Sequence, residues 1–241
     1  MKQLGTQLRT ELQLTLRNGE QLLLTLGIPV LLLVFFSLVD VLPTNTAEPV
    51  DFLAPGVLAL AVMSTAMVSL GIGTGFERSY HVLKRLGATP LGRPRLVLAK
   101  ILSVAVVEVI QFAVLVPVAY ALGWSPHGAT WLAAIGAVLL GTSAFAGIGL
   151  MLAGRLRGEL NLAAQNGLYL VLLLLGGMVI PFAKLPSPIR AVAHALPSGA
   201  LADALRYALA HAGSQPTTSW LVLAGWAVVA PLVAALAFRW D

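Results

Sequence analysis

Cysteine is absent from the 241-residue chain, and charged residues make up only 10% of it. The first absence excludes disulfide bonds, thiolate metal sites and a cysteine nucleophile. The second argues strongly against a soluble enzyme, because a typical soluble domain carries about 25% charged residues. Aromatic residues are also scarce, at 7%, so the hydrophobic 58% is mainly Leu, Val and Ala. This composition predicts an all-α polytopic membrane protein rather than a membrane β-barrel.

Catalytic motifs are absent as well. The chain has no G-x-x-x-x-G-K-S/T phosphate loop, no H-E-x-x-H and no G-x-S-x-G. The series Gly71, Gly73 and Gly75 lies in an apolar stretch, follows no predicted strand and lacks the lysine of a nucleotide loop. We therefore expect no catalytic residue, no cofactor and no metal site in this chain.

Six long stretches carry little or no charge, and they predict six transmembrane helices. About 20 apolar residues suffice to cross a hydrocarbon core of ~30 Å. The predicted spans are residues 21–41, 52–76, 96–123, 129–153, 161–183 and 217–238.

The distribution of basic residues predicts how these spans are oriented. Six spans place both termini on one side of the membrane. If that side is the cytoplasm, twelve of the fifteen Lys and Arg residues are cytoplasmic, and only Lys184, Arg190 and Arg206 lie outside. Cytoplasmic loops are rich in Lys and Arg, so we expect both termini in the cytoplasm. The net charge of +5 then reflects topology, with membrane lipid as a partner and no nucleic acid.

Two segments on the predicted cytoplasmic side have helical patterns of their own. Residues 1–19 place leucine at every fourth position among polar residues, which predicts an amphipathic helix lying in the membrane interface. In the connection 77–93 we expect a short helix from Ser79 to Leu86, capped by Ser79 and ended by Gly87 and Pro90. Its apolar face would be Val82, Leu83 and Leu86, with Lys84 and Arg85 on another face. Such a helix is suited to docking a soluble partner, although a plain positive topology anchor remains an alternative.

A second departure from a plain bundle follows the fifth span. Residues 187–213 fit two short helices, one starting at Ser187 and one near Pro197. Neither is long enough to cross a bilayer, so we expect interfacial or re-entrant segments on the outer side. Asp203 and Arg206 are three positions apart and can pair on the second helix.

Polar side chains inside the spans are candidates for a substrate pathway. Glu108 is the one carboxyl well inside a predicted span, and Gln111 shares its helical face. An intramembrane carboxyl is costly and marks either a pathway or a partner helix, and both readings stay open. Gln165, Asn166 and Tyr169 gather early in the fifth span, together with Asn161, and suit either a vestibule or ordinary hydrogen bonds between helices.

At several places the chain resembles the permease subunits of type-2 ABC exporters, particularly the drug-resistance group related to the daunorubicin exporter permease. The resemblance covers essentially the whole chain. It is carried by the segments Phe52-Leu-Ala-Pro-Gly-Val57, residues 76–91, Gly177-Met-Val-Ile-Pro181, Leu185-Pro186 and residues 195–206, in this order and spacing.

The resemblance implies a membrane subunit that is not itself an enzyme. Two copies of a separate ATP-binding subunit would carry ATP and Mg²⁺, and a second permease protomer, identical or related, would complete a transporter in a bacterial-type inner membrane. An amphipathic or lipophilic substrate of the drug, lipid or glycan class would be moved out of the cytoplasm. By position, residues 79–86 would be the coupling helix, and Glu77 would pair with Arg9 or Arg17 of the interfacial helix. The short helices would form an outer gate that includes Pro181, Leu196, Asp203 and Arg206.

Two other classes of function compete with this interpretation. An ATP-independent channel or a proton-coupled transporter could use Glu108 directly, although inverted internal repeats, which are common in such carriers, are not visible. An intramembrane enzyme is disfavoured by the missing catalytic set.

Overall fold

The computed structural model describes residues 2–39, 49–87, 92–126, 128–210 and 217–237. These residues form helices joined by short turns, and no strand occurs among them. The helices are α1 Lys2–Arg17, α2 Gly19–Leu38, α3 Pro49–Met63, a π-helical turn Ser64–Ser69, α4 Leu70–Ser79, α5 Val82–Gly87, α6 Arg93–Ala121, α7 Trp131–Ala153, α8 Gly158–Leu175, a 3-10 turn Phe182–Lys184, α9 Ser187–Ala195, α10 Pro197–Ala210 and α11 Thr217–Ala237.

Five helices within the described residues are long and apolar enough to cross a membrane, which confirms the all-α membrane class. They are Pro49–Ser79, Pro94–Ala121, Trp131–Ala153, Gly158–Leu175 and Thr217–Leu236. The first predicted span corresponds to α2, whose strongly apolar part, Thr25–Leu38, is shorter than these five. The sixth crossing therefore stays a prediction. Residues 40–41 and 238, at the ends of two predicted spans, lie outside the described residues.

The continuous helix Pro49–Ser79 forms the centre of the bundle. Its most apolar stretch is 78% buried, whereas that of Gly158–Leu175 is only 17% buried. Helices α7, α10, α2 and α8 pack around it, and α11 packs on α7. The burial follows from small and branched apolar side chains, such as Ala59, Leu60 and Val62, which are fully excluded from solvent.

The amphipathic helix and the break after it occur where the sequence predicts them. Helix α1 ends at Arg17, Asn18 is not helical, and α2 begins at Gly19. Helix α1 packs against the start of α6. One residue departs from the expected amphipathic pattern, because the carboxylate of Glu11 is turned inward and the residue is only 7% exposed.

The predicted helix from Ser79 to Leu86 is wrong at its start. Ser79 is the last residue of α4, and its hydroxyl donates to the carbonyl of Gly75 at 3.0 Å instead of capping a new helix. The chain turns at Tyr80 and His81, and His81 adopts a left-handed conformation with φ 59°. Helix α5 then covers Val82–Gly87. Pro90, the expected helix stop, lies outside the described residues.

The two short helices of the predicted outer side are present as α9 and α10. They begin at Ser187 and Pro197, as the Pro and Ser pattern indicates. Helix α10 is much more buried than an interfacial helix would be, because its alanines pack into α3, α7 and α11. Its predicted end, beyond Ala210, lies outside the described residues. We name two regions after the predicted orientation of the chain: the inner end is α1, the turn Tyr80–His81 and α5, and the outer end is α9 and α10.

Candidate functional site: an open cavity between the inner end and the central helix

A partly open cavity of about 600 Å³ lies within the described part of the bundle. The α1–α2 junction, the π-helical turn, α4 and α8 form its walls. The lining residues are Asn18, Thr25, Ile28, Ser64, Val68, Ser69, Ile72, Gly73, Phe76, Asn166 and Tyr169. Hydroxyl and amide groups thus alternate with apolar side chains, which suits a molecule that has both kinds of surface.

The π-helical turn Ser64–Ser69 interrupts the central helix at the cavity wall. A π-turn holds more residues than an α-turn, and such turns are frequent at functional sites. Here it directs Ser64, Val68 and Ser69 to the cavity, while Thr65 points away from it into the bundle. The Thr65 hydroxyl donates to Oε1 of Gln111 on α6 at 2.9 Å.

Gln111 lies behind the cavity wall and not in its lining. Its side chain is fully buried, and Nε2 donates to the carbonyl of Thr25 at 2.9 Å. One amide therefore joins α2, the π-helical turn and α6. This arrangement stabilises the wall, because buried amides need partners for both of their polar atoms.

Glu108 is also buried behind the wall, with an exposed fraction of 1%. One carboxyl oxygen accepts a hydrogen bond from the Thr142 hydroxyl on α7 at 2.5 Å. The other oxygen has no hydrogen-bond partner among the described residues. The contact fits the interpretation of Glu108 as a carboxyl that bridges two helices, since it does not line the cavity.

The polar residues at the start of the fifth predicted span divide between two faces of α8. Asn161 and Gln165 are fully buried and donate to the carbonyls of Gly71 and Gly149, each at 2.9 Å. A Cβ on Gly71 would lie 2.0 Å from Nε2 of Gln165, so this close approach of α8 requires glycine. Asn166 and Tyr169, on the other face, line the cavity.

A buried lysine connects the inner end to the central helix. Lys100 on α6 is 2% exposed, and its Nζ lies 3.0 Å from Oε1 of Glu11 and 2.8 Å from Oε2 of Glu77. The prediction that Glu77 pairs with Arg9 or Arg17 is therefore wrong, and no ion pair joins these residues in the described part of the chain. The interfacial helix is still linked to the central helix, but through Lys100. A charge seven residues inside an apolar helix is a signal for a buried partner that sequence reasoning could have used.

The short helix α5 presents a different face from the expected one. Leu83 is fully buried and forms a small cluster with Leu96 of α6, against which Leu86 also packs. Leu83 therefore holds α5 on the bundle and is not available to a partner. The exposed side chains at this place are Tyr80, His81, Lys84 and Arg85, and Ser79 is exposed beside them.

A half-buried arginine, Arg206, holds the outer end in place. The Arg206 guanidinium donates to the carbonyls of Gly177 and Met178, the latter at 3.2 Å, and lies 4.0 Å over the ring of Phe52. Gly177 has φ 62°, and the ring of Phe182 occupies the space that its Cβ would need. Of the other predicted gate residues, Pro181 precedes the 3-10 turn and Leu196 separates α9 from α10, and both are half-buried.

The predicted pair between Asp203 and Arg206 is not a direct contact. Asp203 accepts a hydrogen bond from the Ser219 hydroxyl at 3.3 Å, and Nδ1 of His194 lies 3.4 Å from the same carboxyl oxygen. Burial raises the pKa of Asp203, an effect that the nearby Arg206 and His194 oppose.

Comparison with known proteins decides the family. Residues 2–210 match the family model described as ABC-2 type transporter. The chain belongs to the ABC-2 type transporter family. It is also similar to a Bacillus subtilis (strain 168) protein named "Putative transport permease YvfS", with 26% identity over 204 residues that cover 82% of each chain.

As a member of the ABC-2 family, the chain is a transport permease that crosses the membrane several times. The structure divides its predicted pathway residues into those that line the cavity and those that do not. Asn166 and Tyr169 are brought together with the π-helical turn at the cavity. Glu108, Gln111 and Gln165 are withdrawn into contacts between helices. The lining contributed by Ser64, Ser69 and Asn18 was missed by sequence reasoning, because nothing in the sequence around residues 64–69 marks a π-helical turn.

Proposed function

We propose that this permease is the membrane-spanning subunit of an ATP-driven exporter. It moves an amphipathic or lipophilic substrate, of the drug, lipid or glycan class, out of the cytoplasm. ATP and Mg²⁺ are bound by two copies of a separate ATP-binding subunit, and a second permease protomer completes the transporter. The family supports the transport role, and the open cavity is the observation that carries the substrate class.

The shape of the cavity supports an amphipathic substrate. Its volume of about 600 Å³ falls within the ~300–1,000 Å³ of typical small-molecule sites. Ile28, Val68 and Ile72 supply apolar wall, whereas Ser64 and Asn166 supply hydrogen-bonding groups. Helices α2 and α8, which contribute to the cavity lining, also carry the exposed apolar residues Leu31 and Leu170. A second protomer packed against these helices would cover both leucines and enclose the cavity.

The exposed part of the inner end supports a docking site for the ATP-binding subunit. Tyr80, His81, Lys84 and Arg85 project from a turn and a short helix that Leu83 anchors to the bundle. A rigidly anchored surface can transmit a displacement from a bound partner to α4 and α6. The central helix then connects this surface with the cavity.

A change at Gly73 tests the cavity. No atom lies within 4 Å of the place where its Cβ would stand, so Gly73→Phe can fill cavity space without displacing the backbone. We expect export of a fluorescent amphipathic dye from proteoliposomes, driven by ATP with the ATP-binding subunit present, to fall at least several-fold. Gly225→Phe is the matched control, because Gly225 is exposed on α11 with equally open space and lies outside the cavity lining. Equal export by both variants would contradict the cavity as the substrate site.

The alternative of a channel or proton-coupled transporter depends on Glu108. Its burial between α6 and α7, away from the cavity lining, gives that alternative no pathway contact in the described residues. Dye export without ATP and without the ATP-binding subunit would nevertheless favour it over the exporter.

A further inference from the structure

Two helix interruptions meet at the same side chain, Gln111 of α6. The first interruption is Pro29, which lies inside α2. A proline has no backbone N–H, so Pro29 cannot donate to the carbonyl four residues earlier, which is that of Thr25. Nε2 of Gln111 donates to this carbonyl at 2.9 Å. An amide from a neighbouring helix thus takes the place of the hydrogen bond that α2 lacks.

The second interruption is the π-helical turn of the central helix. At its end, the backbone N–H of Leu70 donates to the carbonyl of Thr65, five residues earlier, which is the π-helical pattern. The hydroxyl of the same threonine donates to Oε1 of Gln111 at 2.9 Å. A shift of the turn by one residue would rotate the Thr65 side chain by about 100° and remove it from Gln111. The contact therefore depends on the present position of the turn.

A comparison with another proline shows what is particular about Gln111. Pro231 of α11 also leaves a carbonyl without its helical donor, that of Ala227. The hydroxyl of Ser143 on α7 donates to this carbonyl at 2.8 Å, and its single proton is then used. Gln111 instead bonds through both ends of its amide, and both partners lie at helix interruptions. Helices bend most readily at prolines and π-turns, so Gln111 connects two places of bending.

Both interruptions form walls of the cavity. Thr25 and Ile28 line it from α2, and Ser64 and Val68 line it from the π-helical turn. Gln111 is fully buried behind these walls. A bend at either interruption changes the width of the cavity, and a link between the interruptions makes both walls change together.

We propose that Gln111 is a positioning residue that couples the bend of α2 at Pro29 to the π-helical turn, so that the two walls of the cavity move together during export. This inference rests on the proposed function and adds a part of its mechanism. A primary amide suits the role because it carries a donor and an acceptor at a fixed separation. Movement of one wall alone would leave one end of a buried amide without its partner, which is unfavourable.

The first test is a double-mutant cycle on the melting temperature of the detergent-solubilised full chain. Gln111→Leu takes the amide away from the Thr25 carbonyl and from the Thr65 hydroxyl, so the melting temperature should fall. Pro29→Ala restores a backbone N–H that can donate to the Thr25 carbonyl. In the Pro29→Ala background, the fall caused by Gln111→Leu should therefore be about half as large or less.

Gln165→Leu is the matched control for this cycle. Gln165 is also a fully buried amide that donates to a backbone carbonyl, that of Gly149 at 2.9 Å. Its replacement should lower the melting temperature equally with and without Pro29→Ala. Equal falls for Gln111→Leu in the two backgrounds would overturn the link to α2.

The second test asks whether a change at one wall moves the other. The chain has no cysteine, so Leu31→Cys on α2 and Leu170→Cys on α8 introduce two defined sites for spin labels. Both leucines are exposed, and both helices line the cavity. Coexpression with an excess of the cysteine-free chain makes distances from pulsed electron resonance in nanodiscs intramolecular. Thr65→Val removes only the hydroxyl on the central helix, and we expect the distance distribution between α2 and α8 to shift or broaden.

Two further variants serve as controls for this distance. Thr65→Ser keeps the hydroxyl and should keep the parent distribution. Thr142→Val also removes a buried hydroxyl that donates to a side chain of α6, that of Glu108, and it should leave α2 in place. An unchanged distribution in both Thr65→Val and Gln111→Leu would overturn the coupling.

Transport kinetics separate this proposal from the proposed function. Because Gln111 lies behind the lining, Gln111→Leu should lower the maximal rate of ATP-driven dye export several-fold, while the dye concentration for half-maximal export stays within about twofold. A changed concentration with an unchanged maximal rate would contradict a role in wall movement and leave the cavity in place.

The proposed function has its own failure. If Gly73→Phe leaves dye export unchanged, the cavity is not the substrate site, but the cycle and the spin-label distances still decide whether Gln111 links the two helices. Elution on size exclusion identifies variants that fail to fold, and Thr65→Val decides the question if Gln111→Leu is one of them.

Discussion

Each end of the bundle is held by one cation, which is fully buried at the inner end and half-buried at the outer end, and the two are bound in different ways. Lys100 at the inner end is held by the carboxylates of Glu11 and Glu77, which come from helices far apart in the chain. Arg206 at the outer end is held by the carbonyls of Gly177 and Met178 and by the ring of Phe52. Ion pairs therefore hold the inner end on the bundle, whereas hydrogen bonds to backbone carbonyls hold the outer end. A ligand or a proton can change the ion pairs much more readily than the hydrogen bonds to the backbone.

The largest expected effect comes from removing the inner cation. Lys100→Met leaves two carboxylates buried side by side, and breaking a buried ion pair in this way costs about 3–5 kcal/mol. We expect a marked fall in the melting temperature of the detergent-solubilised protein. The triple variant Lys100→Met, Glu11→Gln, Glu77→Gln has no buried charge at this place, and it should recover most of the loss.

The matching change at the outer end is Arg206→Met. It removes donors from two neutral carbonyls and weakens a longer-range attraction to Asp203, but it leaves no pair of like charges buried side by side, so the fall should be smaller than for Lys100→Met. A larger fall in melting temperature for Arg206→Met than for Lys100→Met would reverse the comparison and show that the contacts of the outer end are the stronger ones.

A second prediction concerns the exposed surface of the inner end. Lys84→Glu combined with Arg85→Glu reverses two exposed charges and touches no buried group. We expect an unchanged melting temperature but loss of co-purification with the ATP-binding subunit, because the docking face is altered and its anchor is intact. Arg157→Glu, an exposed charge just before α8, is the control and should keep the partner.

Leu83→Asp separates anchoring from docking. It introduces a charge at a fully buried position, so it should lower the melting temperature as well as partner binding. Loss of partner binding with an unchanged melting temperature would instead place Leu83 on the docking face, as the sequence pattern predicts.

The smallest expected effect is the pH response of the outer end. Burial raises the pKa of Asp203 above its usual value, so the folded protein holds this proton more tightly than the unfolded chain. Stability from this group is therefore fully present below the unfolded pKa of about 4 and is lost as pH rises from there through the higher folded pKa. Asp203→Asn should remove that part of the slope, which we expect to be below about 1 kcal/mol because the side chain is partly exposed. Melting temperatures measured from pH 4 to 7 would show the difference, and a steeper slope in the variant would contradict the direction.

The sequence predicts the helices of this bundle well, because each depends on a local pattern. The break at Asn18 and the starts at Ser187 and Pro197 follow from turn and capping residues that lie next to one another in the chain. Side-chain partners depend on how the helices pack, which single-helix patterns do not contain. Leu83 has the same hydrophobic character whether it faces a partner subunit or Leu96.

The same limit explains the candidate site. The resemblance pairs Glu77 with Arg9 or Arg17 of α1, whereas the structure pairs it with Lys100 of α6. Lys100 lies near the start of a predicted span and is grouped with the cytoplasmic basic residues in the charge count. Gln165 and Asn166 are neighbours in sequence, yet one is buried against Gly71 and the other lines the cavity. Only the rotation of α8 about its axis distinguishes them.

The π-helical turn Ser64–Ser69 changes the directions in which the side chains of the central helix point. Each residue of an α-helix advances the direction of its side chain by about 100°. The extra residue held by the π-turn therefore rotates everything that follows it relative to α3. With this rotation, Thr65 within the turn contacts Gln111, and Glu77 in α4 after the turn contacts Lys100. A chain one residue shorter at this point would still be long enough to cross the membrane, but it would point the carboxylate of Glu77 away from Lys100.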